Sequence, residues 1–173
     1  MNSVADRAVR PGLIMFALAV GAFAIGTTEF ATMGVLPFFA RDLGIDEPTA
    51  GHAISAYALG VVVGAPVIAV LSARVARRTM LVVLMSLFAL GNAMSGLSPS
   101  YQAMLVFRFL SGLPHGAYFG LAALVIASLV DPGKRTQSVA RMFLGLTVAT
   151  IIGVPVSSWL AQAVGWRWGF GIV

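Results

Sequence analysis

The sequence predicts an all-helical membrane protein with five full transmembrane helices and the start of a sixth. Two observations carry that reading. Of 173 residues, 59% are hydrophobic and only 10% charged, whereas a soluble domain carries about a quarter charged residues, so this chain could not cover its surface in water. The apolar residues also fall in continuous runs, each near the roughly 20 residues a helix needs to cross the hydrocarbon core. A membrane barrel would instead show short alternating segments.

The first span covers about 13–40, and Glu29 is its only ionisable residue. It is too long for the apolar region of a signal peptide and lacks a small-residue cleavage site. A second span, about 50–72, is uncharged and has His52 near its start. The third, about 79–97, stops at the turn signal Ser98-Pro99-Ser100. The fourth, about 102–130, contains Arg108, and the fifth covers about 139–164. After Gly165-Trp166-Arg167 a sixth begins near 168 and the sequence stops at Val173. Residues 1–12 are expected to be a cytoplasmic N-terminus and 13–173 one transmembrane bundle.

Loop charges orient the spans. Arg7 and Arg10 precede the first, Arg74, Arg77 and Arg78 follow the second, and Lys134, Arg135 and Arg141 follow the fourth. The opposite side has only Arg41, beside three acids, and Arg167. Basic loops stay in the cytoplasm, which predicts a multi-pass protein of the cell inner (plasma) membrane with a cytoplasmic N-terminus and the lipid bilayer as its surroundings. The net charge of +5 is therefore topological. No basic patch interleaved with exposed aromatics points to nucleic acid.

Small residues recur every four positions: Ala56, Gly60 and Gly64 in the second span, Gly112, Gly116 and Gly120 in the fourth, and Gly145, Ala149, Gly153, Ser157 and Ala161 in the fifth. Such rows let helix backbones approach in lipid. Simple close packing and sliding during a transport cycle both fit them.

Glu29 and Arg108 do not belong in lipid, where a charge is costly and by default marks a functional site facing the bundle interior. Glu29 sits roughly 15 Å from the outer end of its helix and Arg108 roughly 10 Å below the outer turn, counting 1.5 Å per residue. Similar depth admits a structural ion pair or a shared role in proton or substrate handling. His115 follows Arg108 by seven residues, within about 20° on the helical wheel, with Ser111, Phe119 and Ala122 on the same face. Histidine titrates near neutral pH, so His115 is either a proton carrier or a hydrogen-bonded packing residue. Pro114 and Pro155 predict bends in the fourth and fifth helices, and Pro37 and Pro66 weak points in the first and second.

Catalysis finds no support. The chain has no cysteine, hence no disulfide, thiol nucleophile or cysteine zinc site. It has no nucleophile elbow, no Walker loop and no metal-ligand spacing. No enzyme, metal or cofactor is expected.

The ordered motifs resemble a known family. Gly26-Thr-Thr-Glu-Phe30 with Gly34-Val-Leu-Pro37, then Ala50-Gly51 and Ser55-Ala-Tyr-Ala-Leu-Gly60, are similar to the first two helices of the drug:proton antiporter and sugar (arabinose-type) efflux branch of the major facilitator superfamily. Arg108-Phe-Leu-Ser-Gly-Leu-Pro-His-Gly116 resembles that family's arginine motif, associated with proton coupling. Gly145 through Gly153-Val-Pro155 resembles its antiporter motif.

The resemblance implies a secondary efflux transporter that exchanges protons for a small organic solute such as a drug or sugar. It implies proton or substrate handling by Glu29, Arg108 and His115, and gating by Arg74, Arg77 and Arg78. In the family fold two six-helix bundles rock about a central site, and each bundle holds inverted three-helix repeats. This chain then reads as a truncated N-terminal part whose C-terminal bundle is missing. The loop between the second and third helices departs from the family pattern. Ala69, Ala73 and Ala76 stand where the family has glycine, aspartate and glycine, which implies an inward latch that is weaker or made otherwise. The alternative reading is a non-transporting half-bundle acting as scaffold or regulatory subunit.

Overall fold

Helix α1 runs from Pro11 to Asp42 without a break at Pro37. The computed structural model describes residues 11–171, so Arg7 and Arg10, and with them most of the expected cytoplasmic N-terminus, lie outside the described residues. After one turn, α2 (Glu47–Ala50), the chain continues as α3 (His52–Leu71). Asp46 caps α2 by accepting from the Thr49 amide, and this contact holds its carboxyl below the usual carboxylate range. Helix α4 (Arg77–Gly96) follows a short 3-10 turn at Ser72–Arg74, so Arg77 and Arg78 open a helix rather than lie in a loop. Ser100 caps α5 (Tyr101–Leu129), and α5 remains one helix through Pro114.

The fifth span is less regular. Helix α6 (Arg135–Val148) gives way to a π-helical turn over Ala149–Gly153, and α7 (Val154–Val164) resumes with Pro155 in its first turn. Pro155 has no N–H to offer the carbonyl of Ile151, so the chain widens one turn ahead of it. The expected irregularity is thus a π bulge. Helix α8 (Trp166–Gly171) opens the sixth span. Among the described residues there are no strands, and five helical segments are long and apolar enough to cross a membrane.

Two seams hold the bundle. In one, α3 lies against α5. A side chain on Gly60 would strike the Phe109 carbonyl, on Gly64 the Leu113 carbonyl, and on Gly112 the Tyr57 carbonyl. The backbones therefore touch, as small residues permit in lipid. In the other, α6 and the π turn lie against α1: Gly145 abuts the Ala19 carbonyl, Gly26 abuts Leu146 and Ala149, and Gly153 abuts the Thr27 hydroxyl. The antiporter-like glycines are contact points of this second seam. Where α1 ends, Asp42 accepts hydrogen bonds from Arg167 and from Trp166 Nε1, tying α1 to the start of α8.

Candidate functional site: a buried arginine among aromatic rings

Helix α5 carries Arg108 into the middle of the bundle, where the residue is only 1% exposed. Three neighbouring helices enclose it. The ring of Tyr57 on α3 lies 4.2 Å from the guanidinium carbon, and the ring of Phe170 on α8 lies 5.5 Å away. From α4, Asn92 accepts a hydrogen bond from Arg108 Nη1 at 3.3 Å, while its own amide donates to the Phe88 carbonyl at 2.8 Å. Desolvated cation–π contacts are worth about 2 kcal/mol, so aromatic faces do part of the work that a carboxylate usually does. Arg108 Nε is buried with no partner among the described residues.

Sequence depth left an ion pair between Arg108 and Glu29 open. The structure forms none among the described residues. Glu29 is half-buried on α1 and makes no ion pair with the guanidinium.

His115 lies two turns along α5 and is joined to the Tyr57 hydroxyl by a 2.8 Å hydrogen bond. Its ring also packs on Phe119, 5.2 Å between centroids. Tyr57 thus touches Arg108 with its ring and His115 with its hydroxyl, making one continuous chain of polar contacts along α3 and α5. Ser111, from the same stripe, is turned back onto the Arg108 carbonyl at 2.9 Å.

Sequence reading passed over Tyr57 and Asn92. Each leaves a one-dimensional signal: Tyr57 is the only aromatic residue of the second span, and Asn92 the only amide of the third. The arginines of the α3–α4 connection lie away from this site. Arg77 donates to the Leu124 carbonyl in the C-terminal part of α5, at 3.3 Å. No group of histidine or carboxylate side chains among the described residues is arranged to hold a metal ion.

Fold and site define a polytopic helical membrane protein built around an intramembrane charge cluster. The chain belongs to the Major Facilitator Superfamily, whose family model matches residues 18–173. It is 50% identical over 156 residues to the Inner membrane transport protein YdhP of Escherichia coli, covering 90% of this chain and 40% of that protein. It is 46% identical over 160 residues to the Putative transporter AraJ of Escherichia coli, covering 92% and 41%. Against the Chloramphenicol resistance protein of Streptomyces lividans it is 36% identical over 161 residues, covering 93% and 41%. The chain spans about 40% of the length of the curated relatives it matches.

Proposed function

We propose that this chain forms the N-terminal bundle of an inner-membrane secondary transporter that exports a small organic solute, a drug or a sugar, in exchange for protons. The observation that carries the reading is the buried Arg108 with no carboxylate in contact, beside Glu29 and the Tyr57–His115 pair. An uncompensated intramembrane charge is expensive, and a site that protonates or binds solute at Glu29 uses that cost to bias two states of the bundle. The relatives named for membrane transport and for chloramphenicol resistance support the class of activity. The basic residues at the α3–α4 and α5–α6 connections support an N-terminus in the cytoplasm. In this reading Arg74, Arg77 and Arg78 contribute to gating at that face, and Gly145, Gly153 and Pro155 keep the fifth span close to α1 yet deformable.

The test is accumulation of radiolabelled chloramphenicol and arabinose in everted vesicles from cells expressing the protein at its own locus, with and without an imposed proton gradient. Saturable, gradient-dependent uptake of either solute is expected. Non-saturating flux would point to a channel. No flux would favour the scaffold.

A further inference from the structure

Away from the charge cluster, a cleft of about 460 Å³ opens between the C-terminal half of α3, the N-terminal half of α4 and the C-terminal half of α5. Its walls are apolar, formed by Ile68, Ala69, Met80, Leu84, Leu121 and Leu124. Gly120 helps keep it open, because nothing lies within 4 Å of where a side chain on that residue would begin. Unlike Gly60 or Gly112, this glycine serves no close helix contact. Leu84 is buried, whereas Ala69, Gly120 and Leu124 on the walls are exposed. From Arg77 at the rim to Leu84 the cleft runs about 10 Å along α4.

The rim is cationic. Arg77 lines it and reaches across to the Leu124 carbonyl, and Arg74 and Arg78 are exposed on the same connection. None of the three pairs with a carboxylate among the described residues. The ion pairs there are Lys134–Asp131 and Arg167–Asp42. An apolar slot about two turns deep beneath unpaired arginines, at the end of membrane-spanning helices, matches one chemistry: a phosphate on an acyl chain. Basic pockets between membrane helices take anionic head groups.

We propose that this cleft binds an anionic phospholipid from the adjacent leaflet. The phosphate sits among Arg77, Arg74 and Arg78, and one acyl chain lies along Ala69 and Gly120 toward Leu84. The lipid supplies the counter-charge that the described residues do not. A zwitterionic lipid brings an ammonium group to the same rim, where the three arginines repel it. None of Glu29, Arg108 and His115 lines this cleft, and although its rim arginines are the ones the transport reading gives to gating, lipid binding is measured apart from flux.

The test is native mass spectrometry of the purified protein with phosphatidylglycerol, and with phosphatidylethanolamine of the same chains. Phosphatidylglycerol is expected to bind at least tenfold more tightly. Gly120→Leu, which fills the slot, and Arg77→Gln, which removes a rim charge, should each weaken it about tenfold, whereas Arg135→Gln at the other basic connection should not. Arg77 is exposed, so Arg77→Gln keeps the test decisive should Gly120→Leu fail to fold. Equal binding of the two lipids, or equal loss from Arg135→Gln and Arg77→Gln, would mean a general attraction between basic loops and membrane, and would overturn the proposal. So would displacement of the lipid by millimolar inorganic phosphate, which would show that the acyl slot adds nothing. An absence of any bound lipid would overturn it as well.

Discussion

At Arg108 the bundle offers a guanidinium two aromatic faces and one amide oxygen, an arrangement that keeps the charge buried without neutralising it. Removing either Arg108 or Glu29 should therefore act on coupling more than on folding. Arg108→Ala and Glu29→Gln are each expected to lower gradient-driven flux at least a hundredfold with normal membrane expression. Wild-type flux in both would take them out of the mechanism. Tyr57 separates two roles in one side chain. Tyr57→Phe keeps the ring over Arg108 but leaves His115 Nδ1 without its partner, a loss of about 1–3 kcal/mol for a buried polar group. A flattened pH dependence of flux with solute affinity preserved is the expected result. An unchanged pH profile would reduce His115 to packing.

The helices meet through backbone, and that sets their tolerance. Gly60 and Gly112 face each other's helices across α3 and α5 with carbonyls in the way of any side chain. Backbone cannot move aside as a flexible side chain does, so Gly60→Leu should cost at least the 1–3 kcal/mol typical of overpacking and lower the melting temperature in detergent. Gly120→Leu, on the same row but facing open space, should leave it nearly unchanged. If the two variants melt alike, the α3–α5 seam is looser than its geometry indicates. Helix starts matter less. Ser100 accepts from the Ala103 amide at 3.3 Å, and Ser100→Ala should cost about 1 kcal/mol, read as a small shift in the same melt.

Across the whole molecule, the two ends of the bundle differ in how they are closed. At one end Asp42 binds Trp166 and Arg167, Arg167 reaches the Ser98 carbonyl, and His52 meets Tyr101. At the other, Arg77 lines an open cleft. The proposed topology places the first end outside. With no native cysteine in the chain, single Glu47→Cys and Gly133→Cys variants report this directly. A membrane-impermeant maleimide should label Glu47→Cys in intact cells, and Gly133→Cys only after permeabilisation. The reverse pattern would invert the bundle.

Span number, the break at Ser98–Ser100 and the glycine rows are legible in the chain alone, because hydropathy, turn chemistry and side-chain volume act over a few neighbouring residues. Glu29 and Arg108 stand out for the same reason, as charges inside apolar runs. Their relation was not legible. Similar depth left an ion pair open, and only the rotation of each helix about its axis decided that Arg108 faces Tyr57, Asn92 and Phe170 instead. The proline of the fifth span predicted an irregularity, and the structure shows its form, a π turn that lies against α1. Composition and local order determined that this is a helical membrane bundle of a known kind. Tertiary packing decided which side chains share its interior, because a partner is chosen by helix rotation and ångström-scale approach, and neither is written in the order of residues.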